Sequence, residues 1–182
     1  SPESGGLAFL ETVQGSRSDA AVAFITLDDL PEVSSAWDAL DILVLDDIDT
    51  SRLTSGQLAA LRAWVESGGQ LVVTGGPGGP KTAAGVAELL PMAVTGVESL
   101  TNLSALGDFS GAPLSGEGPF VVTTGSLIAG ETMIEQDGVP ILARRDIGRG
   151  SVFFLALDPK AAPLAGWSGS EALWSAIAAS AP

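Results

Sequence analysis

The sequence predicts a mixed α/β fold with a mostly parallel central sheet, and three observations carry that expectation. Ile42 to Leu45 and Leu71 to Thr74 are apolar runs of strand length, as strands buried on both faces require. Between them Leu58, Leu61 and Val65 recur at helical spacing, so the segment reads as a βαβ unit with a right-handed crossover. The 182 residues are 46% hydrophobic and 16% charged, the composition of a globular chain. A chain of this length buries roughly 70% of its unfolded surface, enough for one core, and residues 1–182 are read as one domain.

The elements follow in order. Leu7 to Gln14 has helical spacing and Gly15 stops it; Ala20 to Leu27 is an apolar strand-length run broken at Leu30-Pro31. Ser34 to Leu40 is read as one or two helical turns carrying Trp37. Thr54 and Gln57 have the spacing of a capping box, in which hydroxyl and amide satisfy backbone donors reciprocally, and Gly68-Gly69 ends the helix. Gly75 to Pro80 reads as a loop, and Thr82 to Leu90 as a helix ended by Pro91.

From about residue 92 to 130 periodicity is poor, and an irregular inserted lobe is expected, with a short strand at Phe120 to Thr124. Thr132 to Gln136, Ile141 to Asp146 and Ser151 to Leu157 then read as an antiparallel extension with turns at Asp137-Gly138 and Gly148 to Gly150. Ser168 to Glu171 matches a second capping box, opening a helix through Leu173, Trp174 and Ile177. Trp64 and Trp174 read as core; Trp37 and Trp167, beside Pro and Gly turns, are candidates for exposure.

Composition excludes several chemistries. With no cysteine there is no disulfide, thiolate nucleophile or cysteine-held zinc, and with no histidine the commonest general base is missing. A net charge of −14 argues against nucleic acid and anionic membranes as partners. No apolar run approaches the roughly 20 residues of a membrane span, so membrane attachment would come only through segments outside this chain. The first residues, Ser-Pro without Met, read as a piece of something longer.

Asp41 to Asp47, Leu58 to Gly76 and Gly148 to Leu157 together resemble the class I glutamine amidotransferase-like superfamily, flavodoxin-like folds that include the ThuA-like proteins. The resemblance implies a flavodoxin-like sandwich in which Thr74 stands about where those enzymes carry their cysteine. No histidine exists to accompany it. The chain is most similar to catalytically dead members found in bacterial envelope membrane proteins. That resemblance implies a non-enzymatic, extracytoplasmic domain of a membrane-anchored protein, binding a protein or small molecule and needing no cofactor.

Any ligand cleft is expected where open α/β sheets place theirs, at the carboxyl ends of the strands. The loops there begin at Leu27, Asp46 and Thr74 and carry Asp28, Asp29, Asp46, Asp47, Asp49, Thr74, Gly75 and Gly76. Glycines there let a ligand approach the backbone. Asp46, Asp47 and Asp49 are hard oxygen donors suited to Mg²⁺ or Ca²⁺, and a divalent-metal hydrolase on this rim is the competing function. The plainer reading is a solvated edge, with Asp49 or Thr50 structuring the turn. The stretch Gly75 to Thr82 nearly matches a phosphate-binding loop, but Pro77 and Pro80 remove backbone donors that phosphate needs. Arg144, Arg145 and Arg149 form the basic cluster and are read as ion-paired on a hairpin.

Overall fold

The computed structural model describes residues 25–114, 116 and 118–179. The expected helix at Leu7 to Gln14 and the Ala20 to Phe24 part of the first strand lie outside them. Leu27, the expected end of that strand, instead opens a 3-10 turn, Leu27–Asp29. A second such turn, Ser34–Trp37, follows.

The βαβ unit is formed by β1 (Ile42–Leu45), α1 (Ser55–Ser67) and β2 (Gln70–Thr74), with β1 and β2 parallel in the register Leu43 to Leu71. Both halves of the capping box form: Gln57 N–H donates to Thr54 Oγ1 at 3.1 Å, and Thr54 N–H to Gln57 Oε1 at 3.0 Å. Gly68 closes the helix at φ 127°, a conformation a side chain would resist, and the Trp64 ring lies where a Cβ on Gly69 would stand. Buried Gln57 also donates to the carbonyls of Leu27 and Leu30, tying the preceding loop to the first turn of α1.

Beyond β2 the chain departs from the expected loop. A 3-10 turn at Gly76–Gly78 leads directly into α2 (Gly79–Ala84), a helix that begins earlier and ends sooner than expected. Pro80 lies in its first turn, where the missing N–H would have no helical partner.

The lobe from 92 to 130 is not irregular. It holds a nine-residue strand β3 (Met92–Leu100), α3 (Ser104–Ser110) and β4 (Phe120–Leu127), the two strands pairing antiparallel with a bulge between Val94 and Gly96. It belongs to the same apolar cluster as the main sheet, through Met92, Leu106, Phe120 and Val122.

The remaining strands, β5 (Glu131–Gln136), β6 (Val139–Ile147) and β7 (Gly150–Leu155), complete a five-stranded sheet of order β1-β2-β7-β6-β5. β7 runs antiparallel to β6, as expected, but parallel to β2, so it joins the parallel half to the antiparallel extension. Every residue of β2 and β7 is buried, as strands covered on both faces are. Asp137 and Gly138 both have positive φ, the hairpin turn their pairing predicts.

The last helix, α4 (Ser170–Ala179), starts two residues after the expected cap at Ser168; its first bond runs from Leu173 N–H to Gly169 O. Trp64 and Trp174 are core, as expected, but so are Trp37 and Trp167. Each of these last two donates its indole N–H to a backbone carbonyl, Trp37 to Pro31 nearby and Trp167 to Ala112 far along the chain. No helix among the described residues is long and apolar enough to cross a membrane.

Candidate functional site

β1 and β2 end side by side and deliver Asp46 and Thr74 to the same place. Thr74, fully buried, donates its hydroxyl to Asp46 Oδ1 at 2.6 Å. The other oxygen of Asp46 meets Lys160 Nζ at 2.7 Å; the Asp46 side chain is only 8% exposed. A carboxylate so removed from water needs a compensating charge, and Lys160 supplies it. The reciprocal effect is on Lys160, whose pKa is raised, chiefly by its hydrogen bond to Asp46 and further by the charges of Asp46, Asp158 and Asp47.

Asp47, next along the chain, adopts a left-handed φ of 48° and pairs with Lys81 Nζ at 3.1 Å. Gly78 leaves room for that carboxylate, since a Cβ there would strike Asp47 Oδ1. Lys81 and Thr82, which a phosphate-binding loop would aim at a ligand, are engaged by the chain itself: Lys81 by Asp47 in an exposed ion pair, and the Thr82 hydroxyl by Gly78 O at 3.2 Å.

The glycine-rich loop is approached closely, but by the protein itself. A Cβ on Gly76 would lie 2.8 Å from the Cβ of Asp158, and one on Gly75 would meet the Ala156 carbonyl. Gly75 N–H and Gly76 N–H donate to Leu157 O and Ala156 O, while Thr123 Oγ1 from β4 donates to Gly76 O at 3.0 Å. The crevice beyond β2 is filled by the chain that follows β7.

The other acids sit differently. Asp49 Oδ1 accepts from the Ser51 hydroxyl at 2.6 Å and from Ser51 N–H, a local turn. That hydroxyl bond is the leading cause of its lowered pKa. Thr50, buried beside it, donates to Thr82 O and accepts from Gly85 N–H, closing the end of α2. Asp28 lies 3.7 Å from Arg52 and Asp29 accepts from Thr26, both in exposed positions. The predicted residues therefore divide into a buried group (Asp46, Thr74, Gly75, Gly76), the exposed Asp47 paired beside it, and locally paired acids that are exposed (Asp28, Asp29) or half-buried (Asp49). Among the described residues, no three acidic side chains converge closely enough to hold a metal ion.

Sequence reasoning missed Lys160 and Asp158. Asp158 ends the apolar run of β7 as Asp46 ends that of β1, and this likeness was the available signal. Of the arginines, Arg144 pairs with Asp146 and lies over the Phe153 ring, whereas Arg145 donates to the carbonyls of Glu88 and Leu90 instead of pairing with an acid.

No curated protein matches the chain. Among solved structures, it is similar to the cytoplasmic protein STM1381 from Salmonella typhimurium LT2, with TM-score 0.72 and 17% identity, covering 98% of this chain and 88% of that one. It is also similar to cytoplasmic protein STM3548 from Salmonella typhimurium (TM-score 0.65, 15% identity, covering 86% and 75%). A further likeness is to exo-β-1,4-mannosidase Op5Man5 from Opitutaceae bacterium strain TAV5, with TM-score 0.53 and 20% identity, covering 87% of this chain but 28% of the enzyme. At these identities the likeness is one of fold alone. A family model described as a domain of unknown function, DUF7408, matches residues 21–163, and the chain belongs to that family.

Proposed function

We propose that this domain is a non-catalytic, flavodoxin-like member of the amidotransferase-like superfamily, serving as an interaction or ligand-binding module of a larger membrane-anchored envelope protein. The observation that carries the non-catalytic part is the state of Thr74. It stands where the resemblance places a nucleophile, yet it is fully buried and its hydroxyl proton points at Asp46. A nucleophile must present its oxygen to substrate and have a base free to take its proton. Asp46 is instead held by Lys160, so the group nearest to a base is neutralised within the fold. The parallel β1-β2-β7 half of the sheet, with β2 and β7 covered on both faces and β1 at the edge buried on one, supports the flavodoxin-like assignment.

The envelope placement rests on the resemblance in Asp41 to Asp47, Leu58 to Gly76 and Gly148 to Leu157. The Salmonella proteins similar in fold are described as cytoplasmic, so location is the part most open to test. Fractionation of cells producing the full-length gene product, with protease added outside the cytoplasmic membrane, tests it. The expected result is a membrane-bound product whose domain is reached by external protease; a product found wholly in the soluble cytoplasm overturns the placement. Incubation with glutamine tests the other half: no hydrolysis above a heat-killed control is expected, and turnover would end the non-catalytic reading.

A further inference from the structure

We infer that residues 158–168 form a strap lying over the carboxyl ends of the parallel strands, latched by Lys160 on Asp46, and that release of this latch opens the cleft beneath. The strap leaves β7 at Asp158, whose carboxylate accepts from Lys160 N–H at 2.8 Å and so turns the chain toward Asp46. Lys160 to Ala162 are then exposed. A cleft of about 150 Å³ is lined by Asp158, Ala161 and Pro163 of the strap together with Pro77 and Phe120. Phe120 and Pro163 also border a wider hollow of about 610 Å³ that extends to Trp167.

The two ends of the strap are held by different physics. At the far end Leu164 and Trp167 are buried, Trp167 Nε1 donates to Ala112 O at 3.2 Å, and Ser170 Oγ donates to Leu164 O. That end is rooted in apolar packing and continues into α4. At the near end only Pro159 is buried, and the directional tie is the 2.7 Å ion pair. A tie made by one charge pair has two discrete states, closed or solvated, whereas a packed end yields only by local unfolding. Loss of the pair should therefore loosen residues 160–164 while leaving the far end and the sheet in place. This opening is separate from the proposed function: it concerns how the crevice is closed, whatever it takes up.

Hydrogen exchange resolved by peptide tests it, comparing the native chain with Lys160→Met and with Lys160→Met combined with Asp46→Asn. The double variant keeps the acceptor for Thr74 but leaves no buried charge without a partner, so it folds even where the single variant does not. The expected result is an acceleration of about tenfold or more in peptides covering 160–166, with β2 and β7 unchanged in the double variant. Strap exchange within about twofold of the native rate in the double variant overturns the latch. So does an acceleration shared equally by β2 and β7, which would be general destabilisation.

Discussion

Asp46 and Asp28 both follow apolar stretches and looked alike as candidate ligands, but they inhabit opposite surroundings. Asp46 is 8% exposed and tied to Thr74 and Lys160; Asp28 is 85% exposed and faces Arg52 at 3.7 Å. The difference shows that an acidic loop residue gains its role from what the fold brings to it. Lys160, on the segment that follows β7, makes Asp46 the buried half of a partly solvated ion pair, while Asp28 stays a solvated charge.

The largest effect separating the two should come from removing the cations. Lys160→Met is expected to cost about 1–3 kcal/mol, below the usual penalty for breaking a buried pair because Lys160 itself is partly solvated. Arg52→Met, which strips Asp28 of its partner, should change stability by no more than about 0.5 kcal/mol. Urea denaturation checks both, and equal costs would remove the distinction. Next in size is Thr74→Val, which keeps shape but withdraws a hydrogen bond from a buried carboxylate. It should cost about 1–3 kcal/mol, against about 0.5 kcal/mol or less for Thr26→Val beside exposed Asp29.

The pH dependence distinguishes the rim's acids further. Lys160 has a raised pKa in the fold, so its contribution is fully present below the unfolded value near 10.4 and is lost as pH rises through the folded value. Asp46, Asp47 and Asp158 are the acidic groups that face it. An alkaline loss of stability absent from Lys160→Met is expected in thermal melts. Asp49 has a lowered pKa, so its smaller contribution holds above the unfolded value near 3.9 and is lost as pH falls through the folded one. Asp49→Asn should therefore lower stability slightly at neutral pH and converge on the native chain as pH falls, since the contribution it removes is the one lost in acid.

What could be read in advance follows the same division between local and distant causes. The βαβ unit was legible because its signals are local: apolar runs, helical spacing, the Thr54–Gln57 box and the glycine stop. β3 was hidden because only Met92 and Leu100, at its ends, are buried, and a bulge at Val94 to Gly96 breaks the alternation between them. Pro80 fits a loop by composition, but a proline in the first helical turn is equally at home. Trp37 and Trp167 stand beside turns, but a turn fixes the backbone and leaves the ring free to fold inward. Asp46 and Thr74 stand at the ends of adjacent strands and meet in a hydrogen bond. Their closure by Lys160 was not legible, because that contact exists only once β7 has been laid beside β2.

The protein's own lysines already neutralise the two acids at the end of β1, Lys160 on Asp46 and Lys81 on Asp47. The melting temperature of the native chain, measured with and without millimolar Mg²⁺ or Ca²⁺, tests it most directly, since an ion that binds only the folded state must raise it. No rise is expected for the native chain, and none for Asp46→Asn combined with Asp47→Asn. A saturable, concentration-dependent rise in the native chain that this double substitution abolishes would contradict it and restore the metal-dependent hydrolase reading.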